Sequence, residues 1–354
     1  MKGLVLSGGK GSRLRPFTYT GAKQLVPVAN KPVLFYAIEH LVAAGVRDLG
    51  VIVGDTGEQV RAAVGDGSRF GVRVTYIEQP APLGIAHAVL VAEQFLDGEP
   101  FVLFLGDNFL REGVREYVQG FLDSGANAQV QLCPVPNPSA FGVADVRDGR
   151  LLRVVEKPAD PPSDLAVIGI YLFDAHVLEA VKSVRPSARG ELEITDTIQW
   201  LIDHGLRVDH RVVRGPWIDT GRMDDILQAN RLLLEDLQQR NEGTVDGGSR
   251  LVGTVVLERG ARVERSVIHG PAIIGEETVV RDAYIGPFTS VYHHCRIERA
   301  ELAASVVLEH TELVGLPHRI EDSLIGRFVR VEGEQSRPRV YRLVLGDHSR
   351  VAVP

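Results

Sequence analysis

The residues with the clearest chemical potential stand near the amino end. In LVLSGGKGSRLRP (4–16) an apolar run enters a turn containing Gly8, Gly9 and Gly11, followed by Ser12, Arg13 and Arg15. A glycine-rich turn after a strand exposes backbone N–H groups that can cradle phosphate oxygens, and Lys10, Arg13 and Arg15 add cations beside it. Neither common phosphate loop fits the spacing. A dinucleotide fingerprint needs a third glycine and a helix opening at once, but Leu14 holds that position and Pro16 follows shortly. A Walker A loop needs Gly-Lys-Ser/Thr, whereas Lys10 is followed by Gly11 before Ser12. A glycine turn alone is weak evidence; with two arginines and a downstream Lys23-Gln24-Leu25-Val26-Pro27 it becomes much stronger.

These residues need a frame. LVL (4–6), LGVIV (49–53), VRVTYI (72–77) and FVLFL (101–105) read as buried strands, while KPVLFYAIEHLVAAG (31–45), EQVRAAV (58–64) and IAHAVLVAEQFL (85–96) carry helical spacing. Such alternation implies right-handed crossovers and a largely parallel, doubly wound α/β sheet, whose ligands sit at the carboxyl ends of the strands. Between 129 and 217, strands are predicted at QVQLCPV, GVADV, LLRVVEK, LAVIGIYLF and RVDHRVV, broken by proline-rich turns. ELEITDTIQWLIDHG (191–205) becomes helical with Thr195 as a candidate N-cap, and MDDILQANRLLLEDLQQR (223–240) predicts one long helix.

After Asn241 helical patterning stops. Ile274, Val280, Ile285, Val291 and Ile297 recur about every six residues, with one five-residue step after Val280, and Leu257, Val263 and Ile325 continue the register more weakly. That period signals a hexapeptide parallel β-helix, the alternative being a β-sandwich with chance alternation. The expected architecture is a doubly wound, Rossmann-like α/β domain at 1–240, followed by a left-handed parallel β-helix at 241–354.

Composition excludes several classes. The 39 Lys and Arg against 46 Asp and Glu leave a net charge of −7, the wrong sign for a general nucleic-acid or anionic-membrane binder. Hydrophobic residues at 44% and charged residues at 24% argue against disorder, and 354 residues suggest about two domains. No stretch approaches the ~18 apolar residues of a membrane span, and no signal-peptide core is apparent. Cys133 and Cys295 offer no disulfide framework. A cytoplasmic protein is expected.

Further motifs stand in order along residues 1–240: GAKQLVPVANKP (21–32), EQPAPLGIAHAV (78–89), LGDN (105–108), FGVADV (141–146), VEKP (155–158), RGELEITD (189–196) and WIDTG (217–221). Together with GGKGSRLRP they resemble the sugar-1-phosphate nucleotidylyltransferases, and within them the long-form glucose-1-phosphate thymidylyltransferases, whose extra domain the hexapeptide tail matches. The resemblance implies that glucose 1-phosphate attacks the α-phosphorus of dTTP, giving dTDP-glucose and pyrophosphate for deoxysugar biosynthesis. Two polyanions must meet, so catalysis is charge neutralisation and in-line positioning with Mg²⁺.

By the same resemblance, Arg13 grips the triphosphate beside Gly8, Gly9, Gly11 and Ser12, and Lys23 neutralises the phosphates near the α-phosphorus. Lys157 meets the sugar phosphate. Gln24 and Gln79 read the base, since an amide offers both donor and acceptor, and Gly84 gives backbone access to it. Gly142, Glu156, Glu191 and the segment Val167 to Gly169 hold the sugar hydroxyls. Asp107, at the carboxyl end of FVLFL, and Asp219 of WIDTG are the implied Mg²⁺ ligands, because this ion takes one or two carboxylates plus phosphate oxygens and waters. Taken singly, each aspartate also reads as a turn or cap residue, Lys157 as a solvated turn lysine, and Glu191 as a helix-initiating acid. Ser12 stands where the family often has Thr, and Phe141 where many members have Tyr.

Two alternatives stay open. A uridylyl- or guanylyltransferase on a hexose 1-phosphate would share the glycine loop, and a catalytically silent regulatory subunit would bind sugar nucleotides without turnover. Arg13, Lys23, Asp107, Lys157 and Asp219 are all in place, which argues against silence. Hexapeptide coils can also serve as acyltransferases with a general-base histidine. His269, His293, His294, His310 and His318 are available, but none stands in a recognisable acyl-transfer motif. Self-association into a homo-oligomer is the expected role of the coil, since it presents flat faces.

Overall fold

The apolar runs at the amino end form the sheet that their patterning predicts. In a computed structural model, which describes residues 1–9, 11–333 and 346–352, the central strands run in the order Arg73–Glu78, Asp48–Val53, Lys2–Leu6, Phe101–Leu105 and Leu165–Phe173. The first four are mutually parallel, and Leu165–Phe173 joins antiparallel to Phe101–Leu105. Gly142–Arg147 and Arg150–Glu156 extend the far edge, while Ala128–Pro134 pairs with both Leu165–Phe173 and Val208–Val212. Leu4, Leu103, Val130, Phe173 and Ile198 are fully buried in the core of this Rossmann-like unit. It comprises Met1–Lys10 and Val33–Asp219.

Three helical expectations change in detail. The predicted 85–96 helix is two, Ile85–Val91 and Glu93–Leu96, meeting at Ala92. Thr195 is not an N-cap; the helix is Ile194–Asp203 with Glu193 at its cap position, and the Thr195 hydroxyl is spent on Glu156 instead. The helix at 223 ends at Glu235, because Arg240–Asn241 is taken up as a β-helix strand by parallel pairing with Val255–Leu257.

The second unit comprises Gly11–Pro32 and Thr220–Pro354. Its carboxyl part is a series of short strands in three parallel sheets, of six, six and five strands, consistent with a left-handed β-helix. Ile268, Ile274, Val280, Ile285, Val291 and Ile297 are fully buried along its axis, as the six-residue register requires. Paired residues on successive coils lie 17 apart through the middle of the series, as Val263 with Val280 and Val280 with Ile297, which accounts for the five-residue step, and 16 or 18 apart elsewhere. Corner residues such as Glu277, Phe288, His294, His310 and Phe328 adopt left-handed conformations with φ of 53–61°. His294, His310 and Phe328 stack there with ring centroids 5.1 and 4.9 Å apart. No helix among the described residues is long and apolar enough to cross a membrane.

Candidate functional site

Strand order reverses at Lys2–Leu6, which has parallel neighbours on both sides, so the turn that leaves it opens at the position where such sheets take ligands. Gly8 lies beside Gly54 and the Gln79 amide oxygen; a Cβ placed on it would be 3.6 Å from Gln79 Oε1. Gln79 Nε2 donates to the Gly84 carbonyl at 3.0 Å and stands 3.1 Å from His87 Nδ1. The Gln79 donor is thus committed to its own turn. Gly84 has φ of 103°, and a Cβ there would lie 2.3 Å from the Leu192 carbonyl oxygen, so only glycine fits. Leu192 N–H donates to Leu83 O at 2.7 Å and Ala86 N–H to Leu192 O at 3.2 Å, which clips this turn to the segment carrying Glu191.

That segment contains a residue the sequence reading overlooked. Arg189 Nη2 lies 3.1 Å from Glu156, 3.5 Å from Glu191 and 2.8 Å from Glu193, joining three carboxylates. The signal was present in RGELE, where an arginine precedes two glutamates at positions two and four residues on. Glu156 also accepts from Thr195 Oγ1 at 3.2 Å and has Lys157 Nζ at 3.7 Å. Burial pushes the Glu156 carboxyl above the usual glutamate range, Glu193 adds to the rise, and Lys157, Arg189 and Thr195 oppose it. Lys157 itself has φ of 41°, with its N–H bonded to Phe141 O at 2.9 Å. A lysine in this left-handed region carries a backbone cost.

The neighbouring positions follow from the same edge. Gly142 opposes Glu156 across the antiparallel pair, and Val167 is buried beside Gly142. Gly169 lies against Asn108. Asn108 is buried, takes a 2.7 Å hydrogen bond from Trp217 Nε1 on Oδ1, and donates Nδ2 to Asp107 Oδ1 at 3.2 Å. The Trp217 ring packs edge-on against Phe141 at 5.6 Å. Trp217–Asp219 pairs antiparallel with Asn108–Leu110, and Asp219 is the partner of Asn108. The two aspartates therefore bracket one asparagine, offering oxygen donors only. Two carboxylates suit a hard cation that completes its shell with phosphate and water, as Mg²⁺ does. Among the described residues no cluster of three or more His, Cys, Asp or Glu could hold a metal without such help.

Gly9 follows Gly8 in the first unit, whereas Gly11, Ser12, Arg13, Lys23 and Gln24 belong to the second. Gly11 turns with φ of 60° and its carbonyl accepts from Thr18 Oγ1 at 2.6 Å; Ser12 and Arg13 open a short exposed 3₁₀ turn, and Lys10 lies outside the described residues. Lys23, Gln24 and Leu25 form a second 3₁₀ turn with Lys23 packed on Gly11. Gln24 is 1% exposed, and its Oε1 has no hydrogen-bond partner among the described residues. A buried amide oxygen left without a donor is costly, so this one is suited to an incoming N–H.

Known proteins resemble this chain along most of its length. Residues 2–236 match the family model described as nucleotidyl transferase. The chain is 51% identical to a glucose-1-phosphate thymidylyltransferase of Streptomyces griseus and 52% identical to one of Streptomyces antibioticus, each match covering 100% of this chain and 99% of the relative. A solved Bacillus anthracis structure described as a glucose-1-phosphate thymidylyltransferase in complex with sucrose superposes with a TM-score of 0.63 at 37% identity, over 68% of this chain and 98% of that one. With the family model spanning the glycine turn, the clustered carboxylates and the paired aspartates, the chain belongs to the nucleotidyl transferase family.

Proposed function

We propose that this protein is a glucose-1-phosphate thymidylyltransferase, making dTDP-glucose and pyrophosphate from dTTP and glucose 1-phosphate. The observation that carries the reading is identity of 51% and 52% over the whole chain to two enzymes of that name. In the reaction an oxygen of the sugar phosphate forms a bond to the α-phosphorus, and the bond from that phosphorus to the bridging oxygen breaks as pyrophosphate leaves. Proton transfer is secondary; fixed cations do most of the work.

Arg13, with the backbone of Gly8, Gly9, Gly11 and Ser12, binds the triphosphate, and Lys23 offsets charge near the α-phosphorus. Gln24 supplies the base with an acceptor, which its buried, unpartnered oxygen supports. Gln79 and Gly84 also serve the base. Lys157 pairs with the sugar phosphate, while Glu156, Glu191, the Gly142 backbone and Val167 to Gly169 receive the hydroxyls. Arg189 orients the two glutamates. Asp107 and Asp219 hold Mg²⁺, which when bound offsets phosphate charge. Residues 1–240 act as the catalytic part and 241–354 as a structural, self-associating part, in the cytoplasm where nucleoside triphosphates are made.

Lys157→Met separates the two substrates. Loss of one charge-assisted phosphate contact should raise KM for glucose 1-phosphate on the order of a hundredfold, with KM for dTTP within about twofold. Equal effects on both, or none, would count against the assignment.

A further inference from the structure

The segment bearing Arg13, Lys23 and Gln24 clusters with the β-helix, although it follows directly on the first strand of the sheet. Two seats hold it there. At the far end, Ala29 and Asn30 form a left-handed hairpin tip, with φ of 46° and 57°. Asn230, 1% exposed on the Met223–Glu235 helix, accepts the Ala29 N–H at 2.9 Å and the Ser290 hydroxyl at 2.6 Å on one oxygen. Its Nδ2 donates to Phe288 O at 3.1 Å. Asn30 Nδ2 donates to Val291 O at 2.9 Å and reaches Glu258 Oε2 at 3.4 Å. Leu234, Val256 and Ile273 are buried around this point, with Ala29, Leu237 and Phe288 packed on them. At the near end, Phe17 rests on Gly326, where an added Cβ would be 3.4 Å from its ring. Tyr19 lies between the Arg15 guanidinium at 4.8 Å and the His348 ring at 6.1 Å.

We infer that the β-helix is a positioning element of the nucleotide site, acting through Asn230 and Asn30. A coil that only stiffened or oligomerised the protein would be served by an apolar contact at this place. Here a buried asparagine amide with three hydrogen bonds ties the backbone shortly after Gln24 to a β-helix corner, and such bonds strengthen and become more directional as water is excluded. Movement of the corner at Phe288–Val291 is transmitted to the base and phosphate contacts on the same segment. Asn230 and Asn30 touch no substrate; they set the position of residues that do. The inference rests on the proposed roles of Arg13, Lys23 and Gln24.

The test uses the full chain with Asn230→Ala, and with Asn30→Gly, which keeps the left-handed tip and deletes only its side-chain bonds. Each should raise KM for dTTP, about tenfold for Asn230→Ala and about threefold for Asn30→Gly, with KM for glucose 1-phosphate within about twofold. Asn230→Asp keeps both acceptor bonds but sets a carboxylate against Phe288 O, and its dTTP KM should fall between wild type and Asn230→Ala. Hydrogen exchange across residues 11–32 should quicken in the same order. Unchanged dTTP KM in both asparagine deletions, or activity falling only with the folded fraction while both KM values stay fixed, overturns the inference. Wild-type protein releasing no pyrophosphate overturns the proposed function instead, and the inference with it.

Discussion

Replacing Gly84 by alanine should impair catalysis far more than folding. Its φ of 103° and ψ of 171° lie in a region essentially reserved for glycine, at a cost of about 1–3 kcal/mol for any other residue. The new Cβ would also sit 2.3 Å from Leu192 O and 2.9 Å from Leu192 C and N, all backbone atoms without a rotamer to change. Relief requires the 83–86 turn to leave residue 192, giving up the hydrogen bonds Leu192 N–H to Leu83 O and Ala86 N–H to Leu192 O, each worth about 1 kcal/mol net. The sum is about 3–5 kcal/mol. Taken as local opening beside Glu191, it lowers kcat/KM by roughly two to four orders of magnitude. Gly71→Ala is the control, since its φ of 74° carries the same sense of strain but a Cβ meets nothing within 4 Å. That variant should lose about 1–2 kcal/mol of stability and keep its kinetics. Initial rates of pyrophosphate release and a thermal melt on each variant decide the matter. A Gly84→Ala enzyme with kcat/KM within about threefold of wild type would refute the reasoning.

Other expectations concern charge, metal and the coil. Because burial raises the Glu156 carboxyl, the folded state binds its proton more tightly than the unfolded chain does, so this group's contribution to stability falls as pH rises from the ordinary glutamate range through the raised value. Affinity for glucose 1-phosphate should run oppositely, weakening on acidification from a pH above that range, and Glu156→Gln should remove this acid limb from a KM-against-pH profile. Chelation should abolish turnover reversibly, and Asp107→Asn should raise the Mg²⁺ concentration for half-maximal rate with at least a tenfold drop in kcat, read by metal titration; an unchanged titration would exclude Asp107 as a ligand. Ile285→Ala, at a fully buried β-helix position, should cost about 2–5 kcal/mol in denaturant unfolding, and a cost below 1 would place Ile285 outside the packed axis.

Much of this was legible in the residues themselves. Short apolar runs separated by stretches of helical spacing located the parallel strands, and the recurrence from Ile274 to Ile297 located the coil axis, because both signals arise from side chains that must leave water. The polar pairings were less legible. Thr195 has the chemistry of an N-cap, but its hydroxyl is drawn to Glu156 at the end of the Arg150–Glu156 strand, a partner 39 residues away that local reading cannot supply. The 223–240 helix stops early because a strand partner near Val256 competes for Arg240 and Asn241, and helix propensity does not register that competition. Arg189 was visible as a letter in RGELE but its significance depends on Glu156, Glu191 and Glu193 converging on one guanidinium. Asn230 gave no sequence signal at all; its role exists only once a hairpin tip and a β-helix corner meet on its amide.

The most direct measurement is pyrophosphate release with Mg²⁺ and glucose 1-phosphate, run in parallel against dTTP, UTP, CTP, ATP and GTP. The account predicts dominant turnover with dTTP and dTDP-glucose as the product. Turnover led by another nucleotide would contradict the base assignment, and no release with any of the five would contradict the proposed activity itself.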